Sequence, residues 1–220
     1  MVFDLFHTLT ARESTWSAGP MTYAMLGVPR EAWERQLFET SRARLTGLER
    51  EPRKIVEGLA RAINPGIEDS VIERAVANRL TRFAGSLTHI PPANLSVLTK
   101  LRRAGRKLGL ISNADASEIQ AWPQSPLREH FHSAVFSCEV GLLKPEPPIY
   151  LHCLEALGLP ASECVYVADG SVGELTAARA LGFTTVMIAG VIREIWPEKI
   201  AGRAREADFM IEELTELLPE

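Results

Sequence analysis

The chain has 220 residues, enough for one or two domains. It carries 24 Lys and Arg against 28 Asp and Glu, a formal net charge of −4, which argues against the clustered cations of a sequence-independent nucleic-acid surface. Its 46% hydrophobic and 24% charged residues exclude a disordered chain, and no run of about 18 apolar residues is present to span a membrane.

The opening residues Met1-Val2-Phe3-Asp4 carry neither a basic region nor a long apolar stretch, so a cytosolic location is expected. The apolar run before Asp4 is shorter than the five or six residues usual for a strand. A first strand that is short, or that starts before Met1, is expected.

From 11 to 87 the pattern is helical. Residues 31–45 place apolar side chains at 33, 37, 38 and 45, and 53–63 and 68–83 repeat the period. Pro20, Pro29, Pro52 and Pro65 punctuate these segments near their expected starts.

Beyond 88 short apolar runs alternate with amphipathic ones. Strands are predicted at 107–113, 134–138, 164–169 and 183–188, with a weaker one at 208–211. Helices are predicted at 94–104, 147–157 and 173–181, each ending near a glycine: Gly105, Gly158 and Gly182. This alternation implies an α/β fold, a Rossmann-like doubly wound parallel sheet with helices on both faces. The expected organisation is an α/β core of 1–10 and 88–220 interrupted by an all-helical insertion, 11–87.

Three cysteines, Cys138, Cys153 and Cys164, form no C-x-x-C pair and share no metal-ligand spacing with the five histidines. They are expected to be buried thiols acting as small hydrophobes. His130, His132 and His152 fall in expected surface or helix-face contexts and receive no role. Trp16, Trp33, Trp122 and Trp196 are expected in core or rim packing.

Ligands of open α/β sheets bind outside the carboxyl ends of the strands. The polar residues closing the predicted strands are Asp4, Ser112 with Asn113, and Asp169, and Lys144 follows the run at 134–138 through a Gly-bearing loop. Two carboxylates, a hydroxyl, an amide and an ammonium therefore gather on one rim.

These residues lie in four ordered motifs. Asp4-Leu5-Phe6-His7-Thr8-Leu9 resembles the first motif of the haloacid dehalogenase-like (HAD) hydrolase superfamily, D-x-D-G-T-L. Ile111-Ser112-Asn113 resembles the second, the run from Gly141 to Tyr150 the third, and the run from Val165 to Glu174 with 177–182 the fourth. The resemblance covers 1–9 and about 90–220, and places a helical cap domain where the insertion lies. It implies that Asp4, in a D-x-x-x-T context with Thr8, is a nucleophile forming a covalent aspartyl intermediate. It implies that Ser112, beside Asn113, hydrogen-bonds the transferring group and that Lys144 offsets negative charge, which is expected to place its ammonium within salt-bridge distance of Asp4 and Asp169. In the phosphotransfer branches it implies a Mg²⁺ site formed by Asp4, the Phe6 backbone carbonyl and Asp169, with Glu174 in support.

The departures are informative. The family's phosphatases place an acid/base Asp two residues after the nucleophile, and this chain has Phe6 there. The 2-haloacid dehalogenase branch carries an aromatic at that position, because halide leaves without a proton. Dehalogenases need no metal, however, and replace the first acid of the fourth motif, whereas Asp169 and Glu174 keep two carboxylates. That branch also binds the substrate carboxylate with a cap arginine. Arg35 lies near the expected place, although Glu34 could occupy it, and Arg42 and Arg44 are further candidates. His7 stands where the family has glycine. It could replace the missing acid, but alternation along an extended segment turns it away from Asp4, beneath the site or towards the cap.

The expected protein is thus a HAD-like hydrolase acting through an aspartyl intermediate. The first reading is Mg²⁺-dependent hydrolysis of a small phosphorylated metabolite, with Phe6, His7, Arg35 and Arg44 lining the substrate pocket. The alternatives are a metal-independent dehalogenase-type C–X hydrolase and a catalytically impaired binding or regulatory homologue. A small-molecule substrate is expected, with no nucleic-acid or membrane partner, in a monomer or homodimer.

Overall fold

In the computed structural model, residues 1–12, 15 and 19–218 are described. Six strands form one parallel sheet: β1 (Val2–Phe3), β2 (Gly109–Ser112), β3 (Ser133–Phe136), β4 (Val165–Ala168), β5 (Thr184–Ile188) and β6 (Phe209–Ile211). Their order is β3-β2-β1-β4-β5-β6. The first strand is only two residues long, yet it lies inside the sheet. Val2 pairs with Gly109 and Tyr166, and Phe3 with Leu110 and Val167.

The helices are α1 (Thr22–Leu26), α2 (Arg30–Glu39), α3 (Ser41–Leu45), α4 (Pro52–Ile63), α5 (Asp69–Thr88), α6 (Pro92–Arg103), α7 (Ala116–Ile119), α8 (Ser137–Val140), α9 (Pro147–Leu157), α10 (Glu174–Ala180), α11 (Gly190–Ile195) and α12 (Ile200–Ala204). None is long and apolar enough to cross a membrane.

Strand alternation divides the core between the two faces of the sheet. Phe3, Leu110, Val167 and Val186 face one side, with Val97, Leu98 and Leu101 of α6. Val2, Ile111, Tyr166 and Met187 face the other, with Ile149, Tyr150, Cys153 and Leu157 of α9. Both faces are covered, which is why the inner strands read as unbroken apolar runs. Gly109 permits the second face to close: a Cβ there would lie 2.7 Å from the Cys153 sulfur. All three cysteines are free and buried, and burial pushes the Cys138 and Cys153 thiols up to about 12.

The helices between β1 and α6 have an apolar cluster of their own. Trp33 of α2, Ile55, Val56 and Leu59 of α4, and Ile72 and Ala75 of α5 pack together. Two elements differ from expectation. The single helix predicted at 31–45 is broken at Thr40, whose hydroxyl donates to the Gln36 carbonyl at 2.7 Å, a back-bond that bends helices. The helix predicted to stop at Phe83 runs on to Thr88, because Ser86 and Leu87 are buried against the α/β unit. One histidine departs from its expected surface context: His130 is buried, whereas His132 is exposed, its Nδ1 accepting the Leu108 N–H at 3.0 Å.

The loop after α3 touches the α/β unit closely. Gly47 has φ +75°, and a Cβ there would fall 2.0 Å from the Cys138 carbonyl oxygen. Gly47→Ala should therefore cost at least about 1–2 kcal/mol from the left-handed backbone, before any shift of the loop is counted. Urea unfolding at constant m-value measures this loss.

Candidate active site

All six strands run the same way, so their carboxyl ends share one rim. Asp4 leaves β1 with its N–H bonded to the Val167 carbonyl at 2.9 Å. The chain then turns sharply. Leu9 and Thr10 N–H return to the Leu5 carbonyl, and His7 adopts φ +60°, its N–H bonding Thr10 Oγ1 at 3.1 Å. This turn brings Thr8 back under Asp4, where its hydroxyl donates to Asp4 Oδ2 at 3.0 Å. The loop after β4 is also strained. Val172 has φ 49°, between left-handed Gly170 and Gly173. A β-branched residue there costs of order 1–3 kcal/mol, a strain typical of functional loops.

Lys144 enters from the loop between α8 and α9. Asn113 clamps that loop twice: its Nδ2 donates to the Lys144 carbonyl and its Oδ1 accepts the Lys144 N–H, both at 2.9 Å. The ammonium is thereby held 2.5 Å from Asp4 Oδ1, 2.6 Å from Glu174 Oε2 and 3.2 Å from the Tyr166 hydroxyl oxygen. Lys144 was expected to pair with Asp4 and Asp169; it pairs with Asp4 and Glu174 instead. Asp169 has other partners. Its Oδ1 accepts the Ser171 N–H at 2.8 Å, its Oδ2 accepts from Arg203 at 2.9 Å, and His7 Nδ1 lies 3.8 Å from Oδ2.

These groups are almost wholly buried, which sets their protonation. Burial raises Asp4 and Glu174, and the two carboxyls share one ammonium. Glu174, also facing Asp4 and Asp169, is pushed up to about 8. Burial opposes the Lys144 charge too, but Asp4 and Glu174 outweigh it and hold the ammonium above its usual range. Asp169 is the reverse case. Its burial is outweighed by His7, Arg203 and the Ser171 N–H, which hold it well below the ordinary carboxylate range. The Ser112 hydroxyl is buried with no hydrogen-bond partner, an orphan donor at the end of β2.

Carboxylate oxygens of Asp4, Asp169 and Glu174 lie within 4.8 Å of one another. Three hard oxygen donors so placed match the preference of Mg²⁺ for carboxylate ligands.

Two cavities meet at the rim. One, of about 300 Å³, is lined by Asp4, Lys144, Asp169, Trp196 and Arg203. The other, of about 460 Å³, reaches into the helical segment past Trp33, Leu37, Arg44 and Phe83. Phe6, His7, Leu45 and Asn113 line both. His7 was expected beneath the site or facing the helical insertion; it stands at this junction, edge-on to Trp196. Phe6 is edge-on to Phe83 of α5, with ring centroids 5.8 Å apart.

The candidate arginines separate. Arg35 is exposed and lines neither cavity, whereas its neighbour Glu34 lines the larger one. The helical register buries Trp33 and half-buries Leu37, while Glu34 stays exposed at the cavity edge and pairs with Arg30, so the expectation for Arg35 is corrected. Arg42 is exposed and pairs with Glu146. Arg44 is buried in the larger cavity, its Nη1 2.5 Å from Asp115 Oδ2. Arg79 bonds the same oxygen at 3.2 Å and Glu118 at 2.7 Å. Of the tryptophans, Trp33 lines the larger cavity, Trp122 packs on Phe136, and Trp196 stands at the rim; Trp16 lies outside the described residues.

Arg203, Tyr166 and the Arg79–Asp115 pair escaped sequence reasoning. Arg203 and Tyr166 carry no local signal. Asp115 does: Asp115-x-x-Glu118 is a capping box at the start of α7.

A family model described as haloacid dehalogenase-like hydrolase matches residues 1–182, and the chain belongs to that family. The chain is 31% identical over 134 residues to glyceraldehyde 3-phosphate phosphatase of Methanopyrus kandleri, a match covering 59% of this chain and 56% of that enzyme. Another curated relative is matched over only 20% of its length. Two solved structures share the fold. L-2-haloacid dehalogenase from Xanthobacter autotrophicus with chloropropionic acid covalently bound is 18% identical at TM-score 0.65, covering 98% of this chain and 95% of that one. A HAD family enzyme from Bacteroides thetaiotaomicron in complex with magnesium and inorganic phosphate is 20% identical at TM-score 0.63, covering 85% and 92%.

Removing one partner of a buried ion pair costs about 3–5 kcal/mol. Lys144→Met, similar in length but uncharged, should lose about that much stability because it strands Asp4 and Glu174 together. Chemical denaturation at pH 8 checks it.

Proposed function

We propose that this protein hydrolyses a small phosphorylated metabolite through an aspartyl-phosphate intermediate on Asp4, with Mg²⁺ as cofactor. The observation that carries the reading is the cluster of three buried carboxylates, Asp4, Asp169 and Glu174, within 4.8 Å of one another, with Lys144 against Asp4 and Glu174 and Arg203 against Asp169. Mutual repulsion makes such a cluster costly unless further positive charge is shared among its members.

The roles follow from the contacts. Asp4 is the nucleophile, one oxygen bonded by Thr8 and the other by Lys144. Lys144 favours the ionised form of that carboxylate against its burial and offsets the charge of the incoming phosphoryl group. Asn113 positions Lys144 through the loop backbone. The orphan hydroxyl of Ser112 gains a partner in a phosphoryl oxygen. Asp4, Asp169 and Glu174, with the Phe6 carbonyl, would hold Mg²⁺, which when bound supplies positive charge to the phosphoryl oxygens. The helical segment acts as a cap domain, 11–87, supplying the larger cavity.

A second reading, C–X hydrolysis of a 2-haloacid, is favoured by two observations. Phe6 cannot move a proton, and Arg203 already gives Asp169 a cation. Phosphate and halide release from a metabolite panel, with and without Mg²⁺, separates the two. Halide release that is indifferent to Mg²⁺ would replace the first reading by the second.

Asp4→Asn should abolish turnover on either reading while preserving the fold, as measured by activity beside circular dichroism. Phosphate esters with good leaving groups, aryl or acyl phosphates, should be hydrolysed far better than alkyl phosphates, because Phe6 offers no acid. Phe6→Asp should raise alkyl phosphatase activity by up to about 10²–10⁴-fold, the usual worth of general acid–base catalysis. A folded, Mg²⁺-binding Phe6→Asp variant with no gain on any ester would defeat the phosphatase reading.

A further inference from the structure

Lys144 bridges Asp4 and Glu174 but not Asp169, whose counter-charge comes from another part of the chain. Arg203 of α12 supplies it. Its Nη1 donates to Asp169 Oδ2 at 2.9 Å and to the Asp169 backbone carbonyl at 3.0 Å, so one nitrogen grips both the side chain and the main chain of the same residue. The other carboxylate oxygen accepts the Ser171 N–H at 2.8 Å. Both oxygens of Asp169 are therefore engaged, and one of them must still serve any ion held by the cluster.

The fold builds this contact. Gly170, at φ +81°, has no Cβ; one placed there would fall 3.0 Å from Arg203 Cβ and 3.3 Å from its Cδ, so the glycine clears a path for the arginine stem. The Arg203 side chain is 15% exposed and that of Asp169 3%, so solvent ions screen the pair poorly. Arg203 also lines the reaction cavity, on one wall with Trp196 and Lys199. The family model ends at residue 182, so this wall lies outside the part of the chain that the model matches.

Resting on the Mg²⁺ reading above, we propose that Arg203 competes with the divalent cation for Asp169 and so sets the metal affinity of the site. A guanidinium and a divalent cation drawn to one carboxylate repel each other, and each neutralises the charge that attracts the other. By linkage, the factor by which Arg203 weakens cation binding is the factor by which the bound cation weakens the Arg203–Asp169 pair. Arg203 is accordingly a positioning residue, acting through Asp169.

Calorimetric titration of Mg²⁺ alone into the full chain tests this without substrate or turnover. Arg203→Gln, which keeps a donor and drops the charge, should bind Mg²⁺ about ten- to a hundredfold more tightly than wild type, the range of one hydrogen bond to a charged group. Arg203→Lys, which keeps the charge without the planar fork, should fall between the two. Mg²⁺ should also raise the Tm of Arg203→Gln more than that of wild type, because tighter binding stabilises the folded chain further. An arginine that only braces the loop predicts the opposite sign, since a loosened loop weakens the site. Tighter binding in the variants, or binding seen in them alone, sustains the inference. Equal or weaker binding in both variants, with wild type binding the ion, would overturn it and leave the Mg²⁺ reading intact. Mg²⁺ bound by none of the three proteins would overturn both. If Arg203→Gln does not fold with or without Mg²⁺, Arg203→Lys against wild type decides alone.

Discussion

The Lys144 ammonium organises this protein. Among the described residues it is the cation that bridges Asp4 and Glu174, two carboxyls that the fold removes from water. A pair of carboxylates in a dry site cannot both ionise cheaply without a shared positive charge. The ammonium, 2.5 Å from Asp4 and 2.6 Å from Glu174, favours the ionised form of both carboxyls against a burial that raises each. Nearby features hold this one group in place. Asn113 fixes the loop that carries it, Tyr166 bonds both the ammonium and Glu174, and Tyr150 bonds the Glu174 backbone carbonyl.

The same economy of charge joins the helical segment to the α/β unit. Arg44 of α3 and Arg79 of α5 converge on Asp115, which caps α7 at the rim. Asp115 is held below the ordinary carboxylate range: its burial is outweighed by Arg79, Arg44 and Ser117, while Glu118 beside it is raised by burial and by Asp115. A buried junction of this kind is sensitive to geometry, since each partner loses water and must recover it from the others. It ties the wall of the larger cavity to a strand end only two residues past Asn113.

Much of the site was legible in the sequence because strand ends advertise themselves. Asp4, Ser112, Asn113 and Asp169 each close an apolar run, and the parallel sheet brings those ends to one rim. The strands beside β1 read clearly since both faces are buried. What stayed hidden depends on contacts distant in the chain. Arg203 reaches Asp169 from α12 across 34 positions, and nothing in its own neighbourhood distinguishes it from the exposed arginines around it. The choice of Glu174 over Asp169 as the partner of Lys144 is a matter of side-chain direction within one loop, bent by left-handed residues at 170, 172 and 173. That Glu34 rather than Arg35 borders the larger cavity depends on helix register, which periodicity alone locates only to within a residue or two.

The two-residue strand β1 has a consequence for how the molecule is made. It is made before both its neighbours, β2 and β4, which lie more than a hundred residues later. Until they arrive, Val2 and Phe3 have no ladder to join, and a strand so short has no means of holding its place alone. Asp4 must wait as well, since the ammonium that neutralises it follows 140 positions behind. The helical segment, whose apolar cluster is contained within 26–75, can consolidate during that interval. Synthesis thus produces the wall of the cavity before Asp4 has its neighbours, and the rim closes only when the later strands are laid on either side of β1.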